Sequence, residues 1–169
     1  LLLYLMGKYK SVNAITKTFG SEIEVEDTAV AQLEFQNNSL GIIEATTATR
    51  PIDLEGSISL LGSKGSIDIG GFAVNLLRRL ELSDERTKRY YSERIKQFSE
   101  NPKDIEGFAH KEFYKRVINS IINDKKDSAI IASSGIECLK LLHSIYVSAH
   151  EKRLVNASEE ISFKLLGSH

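Results

Sequence analysis

The chain has 169 residues, enough for one domain that buries its own core. Its 22 basic and 23 acidic side chains leave a formal charge of -1, so no basic footprint for nucleic acid is present. The single cysteine, Cys138, excludes an internal disulfide framework, and no apolar run approaches the ~20 residues of a membrane helix. We therefore expect a cytoplasmic protein that is bound neither to nucleic acid nor to a membrane.

The first six residues, LLLYLM, predict the last turns of a helix that Gly7 closes as its C-cap. No capping residue precedes them, so we expect the chain to be a piece of a longer protein. The pattern then alternates and predicts strands. Their segments are SVNAITKTF, DTAVAQLEF, LGIIEATTAT, LEGSISLLG, SIDIG and AVNLLRRLEL. Asn37-Asn38 and Ser63-Lys64 are the predicted hairpin turns.

The second predicted strand shows the clearest alternation. One face carries Ala29, Ala31, Leu33 and Phe35, and the other carries Thr28, Val30, Gln32 and Glu34. If Val30, Ile42 and Leu61 all point outward, the face that they share is too apolar to remain in water. The two helices can cover only one face of the sheet, so the other face meets the missing part of the chain, a second subunit or solvent, and its apolar side chains would argue against solvent.

Residues 83–107 are charged and polar, and we interpret them as a surface excursion with a helical turn near Tyr90 to Phe98. Two helices follow. The first, HKEFYKRVINSIIND, has an apolar stripe through Phe113, Val117 and Ile121. The second begins at Ser133 or Ser134, and its predicted apolar face consists of Leu139, Leu142, Ile145, Tyr146 and Ala149.

Strands that are grouped apart from helices predict the α+β class. We expect an open-faced, predominantly antiparallel (mixed) sheet with the two C-terminal helices on one face. The tail, residues 158–169, is expected to lie outside this domain.

The sequence contains no recognisable catalytic machinery. It lacks the G-x-G-x-x-G and G-x-x-x-x-G-K-[ST] loops, the G-x-S-x-G elbow and H-E-x-x-H. His143 and His150 lie seven residues apart, but no acidic or cysteine partner stands at metal-ligand spacing, so no metal site is expected.

Two stretches remain open to two interpretations. EATTATRP, residues 44–51, is either an ordinary threonine-rich strand or a row of hydroxyls and one guanidinium suited to a polar ligand. His110 either begins a helix in solvent or lies at a helix N-terminus that favours an anionic group.

Four segments together resemble the C-terminal domain of the Gfo/Idh/MocA oxidoreductases. They are VEDTAVAQLEFQNNSLGIIEATTATRP, EGSISLLGSKGSIDIGG, HKEFYKRVINSI and SGIECLKLLHSIYVSAHEKRLV, and the resemblance covers roughly residues 1 to 157. Within the family, ATTATRP and the helix start at His110 are similar to bacterial nucleotide-sugar 3-dehydrogenases, which act on UDP-N-acetyl-glucosaminuronate. Ala109 departs from that pattern, because a glycine is commoner there.

The resemblance implies a two-domain enzyme whose Rossmann domain, absent from this chain, binds NAD or NADP. Residues 1–8 would end the interdomain helix, and residues 9–157 would form the substrate-binding and oligomerisation domain. The family's catalytic histidine and lysine would lie before Leu1, so the fragment alone would be inactive and bind no cofactor. The implied substrate contacts are Thr46, Thr47, Arg50, His110, Phe113 and Tyr114.

The implied partners are the missing Rossmann domain, a small sugar or nucleotide sugar, and further copies in a homodimer or homotetramer built through the open sheet face. A non-catalytic binding or assembly domain with the same fold is the alternative. A family dehydrogenase for inositol or another polyol is a further one.

Overall fold

The computed structural model describes residues 1–20, 22–52, 54–71, 74–95, 109–127 and 132–161. These residues belong to two compact units. Unit 1 comprises Leu1–Asp53 and Ile131–His169, and unit 2 comprises Leu54–Ile130.

Unit 1 contains an open antiparallel sheet with a long helix against one face. Its strands lie in the order β3-β2-β1-β7, and every neighbouring pair is antiparallel. The elements are α1 (Leu2–Met6), β1 (Tyr9–Lys17), β2 (Thr28–Phe35), β3 (Leu40–Thr46), α4 (Ala132–Glu151) and β7 (Val155–Asn156). The predicted helix end at Gly7 is confirmed, with a φ of 85° that only glycine adopts readily.

The predicted Asn37-Asn38 turn is confirmed. Asn38 has a φ of 64°, which asparagine tolerates, and the chain reverses there between β2 and β3. The predicted first strand is shifted: it spans Tyr9–Lys17 instead of residues 11–19.

The core of unit 1 lies between the inner sheet face and α4. The alternation predicted for β2 is confirmed, because Ala31, Leu33 and Phe35 are buried while Val30 and Gln32 are exposed. The buried apolar residues are Tyr9, Val12, Ala14, Ala31, Leu33, Phe35, Leu141, Val147 and Val155.

The predicted apolar face of α4 is wrong in part. Leu139 and Leu142 are exposed, whereas Ser144 and Ser148 are completely buried against the sheet. Tyr9 Oη and Ser144 Oγ are hydrogen-bonded at 2.9 Å, and the Ala14 amide donates to Ser148 Oγ at 2.8 Å. Small side chains let the helix approach β1 closely, and their hydroxyls satisfy the polar groups buried there.

The outer face of the unit 1 sheet carries exposed apolar side chains among polar ones. Val30 is 44% exposed and Ile42 is 76% exposed, and Ile15, the cross-strand partner of Val30, is exposed as well. The outward orientation predicted for Val30 and Ile42 is therefore confirmed. Leu61, which belongs to unit 2, is also exposed.

Unit 2 contains a second antiparallel sheet with strand order β4-β5-β6, where one continuous run of strands was predicted. Its elements are β4 (Ile58–Gly62), β5 (Gly65–Gly70), β6 (Leu76–Leu82), α2 (Glu85–Ile95) and α3 (Ala109–Ile122). The predicted Ser63-Lys64 hairpin is confirmed by the pairing of Gly62 with Gly65.

Within the region predicted as a surface excursion, α2 is an eleven-residue helix that begins at Glu85 and packs on β6. Residues 90–95 of the predicted helical turn lie in this helix, which begins earlier than predicted, and residues 96–98 fall outside the described residues. Asp84 caps α2, because its carboxylate accepts hydrogen bonds from the Thr87 amide and hydroxyl.

The α+β class with open, antiparallel sheets is confirmed. Within the part of the chain that the structure describes, no helix is both long enough and apolar enough to cross a membrane. The side chains of Ser133 and Ser134, the predicted helix caps, and residues 162–169 of the predicted tail lie outside the described residues.

Candidate functional site

The threonine-rich stretch ends β3 and continues into an exposed loop. Thr46 is the last residue of the strand, and its Oγ1 lies 2.9 Å from the Thr28 Oγ1 across the ladder. The same oxygen accepts a hydrogen bond from the Ala48 amide at 3.0 Å. Thr47 donates its amide to the Asp27 carbonyl at 2.8 Å. The Thr46 hydroxyl therefore organises the start of the loop, while the exposed Thr47 hydroxyl forms no hydrogen bond to the described residues.

Arg50 is held by its own loop. Its Nη1 donates to the Thr49 carbonyl at 2.6 Å and to the Thr47 carbonyl at 3.2 Å. Within the described ranges, no carboxylate forms an ion pair with Arg50, and the residue is exposed. The remaining N–H groups of the guanidinium can therefore face an external anion in the planar geometry that carboxylates and phosphates accept.

Asp27 is the buried centre beneath this loop, and its side chain is 4% exposed. Its carboxylate accepts hydrogen bonds from the Phe19 amide at 3.0 Å, the Gly20 amide at 2.7 Å and the Thr28 hydroxyl at 3.0 Å. The sequence analysis missed it, because SEIEVED resembles a solvated acidic connection. Its role could have been predicted from its position directly before a strongly alternating strand, where an Asp side chain often accepts hydrogen bonds from nearby backbone amides.

The other three predicted contact residues lie on the first turns of α3. His110, Phe113 and Tyr114 stand at i, i+3 and i+4, so they share one helix face, and all three are exposed. The Phe113 and Tyr114 rings meet edge to face with centroids 5.8 Å apart. This face presents an imidazole, two aromatic rings and a phenolic hydroxyl.

The six predicted contact residues thus form two groups in different units. Thr46, Thr47 and Arg50 lie together in unit 1, and His110, Phe113 and Tyr114 lie together in unit 2. That the two groups act on one ligand stays a prediction.

Both groups consist of side chains of types that commonly bind ligands. Hydroxyls, a guanidinium and aromatic rings recognise polyols and anions. Within the described residues, no cluster of three or more His, Cys, Asp or Glu side chains is placed to hold a metal ion. The chain has no G-x-G-x-x-G sequence, the motif that binds the pyrophosphate of a dinucleotide in Rossmann domains.

Comparisons with known proteins agree with this description. The model of the GFO/IDH/MocA C-terminal domain matches residues 1–68. The chain is similar to the WlbA dehydrogenase from Chromobacterium violaceum, solved in complex with NADH and UDP-GlcNAcA. The two are 33% identical with a TM-score of 0.77, over 92% of this chain and 42% of the WlbA chain.

The WlbA dehydrogenase from Bordetella pertussis, solved with the same two ligands, is 32% identical with a TM-score of 0.76. That match covers 95% of this chain and 45% of the WlbA chain. An oxidoreductase from Agrobacterium radiobacter, solved with NAD+, L-tartaric acid and magnesium, is 17% identical to this chain, with a TM-score of 0.68. The match covers 92% of this chain and 45% of that one, and at this identity it shows the fold alone. No curated protein matched the chain.

The chain spans less than half the length of these relatives. Its α+β fold matches one part of these longer dehydrogenases. The chain is a C-terminal domain of the Gfo/Idh/MocA family.

Proposed function

We propose that this chain is the substrate-binding and oligomerisation domain of an NAD(P)-dependent dehydrogenase that acts on a sugar or nucleotide sugar. The family and its NAD-dependent relatives support the oxidoreductase class. The similarity to two WlbA dehydrogenases solved with UDP-GlcNAcA supports an acidic UDP-sugar as substrate. Oxidation at the 3-hydroxyl is the part of the proposal that rests only on the resemblance of ATTATRP and the His110 helix start to nucleotide-sugar 3-dehydrogenases.

The observation that carries the proposal is the state of Arg50. Its Nη1 is fixed by two backbone carbonyls, and its charge has no carboxylate partner among the described residues. A UDP-linked sugar uronate carries phosphate and carboxylate groups, each of which can accept paired hydrogen bonds from a guanidinium. Because Arg50 is already immobilised, little side-chain entropy is lost on binding. Thr47 adds an exposed hydroxyl in the same loop as Arg50. The Thr46 hydroxyl already bonds to Thr28 and to the Ala48 amide, so it has less hydrogen-bonding capacity left for the substrate.

The α3 group suits the sugar. Phe113 and Tyr114 offer apolar ring surface for the carbon skeleton, and the Tyr114 hydroxyl can pair with a sugar hydroxyl. His110, in the first turn of α3, lies where helix N–H groups favour an anion.

The cofactor belongs to a separate part of the proposed enzyme. NAD or NADP would be bound by a Rossmann domain and would supply the hydride acceptor. The catalytic histidine and lysine would likewise come from outside this chain. This domain's share is to bind the substrate and orient it toward the nicotinamide.

Replacing Arg50 by alanine in the full-length dehydrogenase tests the proposal. We expect the KM for UDP-GlcNAcA to rise at least about tenfold, because a charge-assisted pair is lost. The melting temperature should move by less than about 2 °C, because Arg50 is exposed. Arg89→Ala, on the exposed part of α2, is the matched control and should leave the KM unchanged.

An unaltered KM in Arg50→Ala, or a collapse of stability, would instead favour an ordinary strand end with no ligand role. Competition by inositol as effective as that of UDP-GlcNAcA would favour a polyol dehydrogenase. The absence of binding to either ligand would favour a non-catalytic assembly domain.

For oligomerisation, we propose that the outer face of the unit 1 sheet packs against a second copy. Three adjacent strands, β1, β2 and β3, expose the apolar side chains of Ile15, Val30, Leu40 and Ile42 on this face. A copy related by a two-fold axis would bury the same residues on both sides of the interface. Light scattering should give a dimer or tetramer for the wild type and a smaller species for Ile42→Glu. Leu139→Glu is the control, because Leu139 is exposed on α4, which packs on the opposite face of the same sheet. A monomeric wild type would contradict this assignment.

A further inference from the structure

The Asp27 carboxylate and the Arg50 loop are connected by a continuous series of hydrogen bonds. Asp27 accepts the Thr28 hydroxyl at 3.0 Å, and Thr28 Oγ1 lies 2.9 Å from Thr46 Oγ1. Thr46 Oγ1 in turn accepts the Ala48 amide at 3.0 Å. A buried charge is thereby joined to the backbone of the loop whose carbonyl groups hold Arg50.

A second connection runs through the neighbouring loop. The Asp27 carboxylate binds the amides of Phe19 and Gly20, which fixes residues 18–20 beside the Arg50 loop. A Cβ built on Gly20 would lie 3.2 Å from the Ala48 Cβ, so the two loops are in close contact there. Glycine at position 20 therefore lets the two loops lie side by side at Ala48.

From these contacts we infer that Asp27 is a positioning residue for substrate recognition, acting through the Thr46–Arg50 loop. Every group that faces its carboxylate in these contacts is a donor, and an ionised carboxylate offers only acceptors. Asparagine at this position would turn an N–H₂ group toward an N–H or O–H donor. The loop would then lose the hydrogen bonds that hold it in place, and Arg50 would no longer be held in its present position. The inference rests on the proposed role of Arg50 in substrate binding.

The test is a double-mutant cycle of Asp27→Asn and Arg50→Ala in the full-length dehydrogenase, with UDP-GlcNAcA as substrate. We expect Asp27→Asn to raise the KM about tenfold with kcat changed less than about twofold, which is a loss of ground-state binding. In the Arg50→Ala background the same substitution should add less than about twofold, because it acts through Arg50. Independent, additive effects on the KM would overturn the inference.

Thr28→Val provides a second variant in case Asp27→Asn does not fold. It keeps the branched shape and removes the hydroxyl that joins Asp27 to Thr46, so it should raise the KM in the same non-additive way. Thr18→Val is the control, because the Thr18 hydroxyl donates to the Val25 carbonyl and has no contact with the Arg50 loop in this network.

Hydrogen exchange separates this inference from the proposed function. Asp27→Asn and Thr28→Val should each accelerate exchange of the Ala48 amide at least about tenfold, whatever the ligand is. If Arg50→Ala leaves the KM unchanged, the proposed function fails, and the Ala48 amide alone decides whether Asp27 positions the loop. If Arg50→Ala raises the KM but neither variant affects the KM or the Ala48 amide, the positioning role is refuted and the proposed function stands.

Discussion

Ser148 joins the long helix to the sheet at a point where the sheet lacks a strand. The β7 strand pairs with β1 only at Ser11 and Val12, so the Ala14 amide has no strand partner on that side. Ser148 Oγ accepts this amide at 2.8 Å and donates to the Arg153 carbonyl at 2.6 Å. One buried hydroxyl therefore satisfies a strand and the turn after α4 at once.

Replacing Ser148 by alanine removes both hydrogen bonds without opening a sizeable cavity. The Ala14 amide, left unsatisfied in a buried position, costs about 1 to 3 kcal/mol, and the lost bond to the carbonyl of the exposed Arg153 costs about 0.5 to 1.5 kcal/mol. Alanine's higher helix propensity returns about 0.5 kcal/mol. The free energy of unfolding should therefore fall by about 1 to 4 kcal/mol, a large fraction of the total for a domain of this size.

Urea denaturation followed by far-UV circular dichroism measures this change, and exchange of the Ala14 amide locates it. Ser59→Ala is the control, because Ser59 is exposed and its hydroxyl bonds only to Asp68 at 3.1 Å. It should change the unfolding free energy by less than about 0.5 kcal/mol. A Ser148→Ala protein within that same margin, with the Ala14 amide still protected, would refute the reasoning.

Two further predictions concern pH and glycine. The Tyr146 hydroxyl donates to Glu26 at 2.5 Å, and this bond raises the pKa of the Tyr146 phenol. The bond's contribution to stability is therefore present below pH about 10 and is lost as the pH rises through the raised pKa. In urea denaturation, wild type should lose more stability than Tyr146→Phe above that pH, and parallel curves would contradict this. A Cβ at Gly65 would lie 2.3 Å from the Glu81 carbonyl oxygen, so Gly65→Ala should lower the melting temperature. A Cβ at Gly135 on α4 would meet nothing within 4 Å, so Gly135→Ala should stabilise the protein by about 0.5 to 1 kcal/mol. If the Gly65→Ala protein were as stable as wild type, that result would contradict the close contact at Gly65.

Local patterns predicted the hairpins well. Asn37-Asn38 and Ser63-Lys64 specify their turns by backbone preference, and the alternation in β2 specifies its buried face. Such features depend on neighbours in sequence, so a single chain reveals them. The division of the strands into two sheets depends on which distant segments pair, and the periodicity of each strand carries no information about that.

The face of α4 was mispredicted because the criterion was apolarity. Ser144 and Ser148 are buried since their hydroxyls meet Tyr9 and the Ala14 amide, whose positions are set more than 130 residues earlier in the chain. Leu139 and Leu142 satisfy the apolar period equally well and remain exposed. A buried serine is recognisable only once its partner is in place.

In the candidate site, too, the sequence does not distinguish two residues that have different roles in the structure. Thr46 and Thr47 are adjacent identical residues at the end of β3. Thr46 is engaged with Thr28 and the Ala48 amide, whereas the Thr47 hydroxyl faces solvent beside Arg50. Thr46 is still in β3 and faces Thr28 across the ladder, whereas Thr47 follows the strand and belongs to the exposed loop. The strand interpretation and the ligand interpretation of EATTATRP are therefore compatible: the Thr46 hydroxyl stabilises the loop, whereas Thr47 and Arg50 remain exposed for the ligand that we propose.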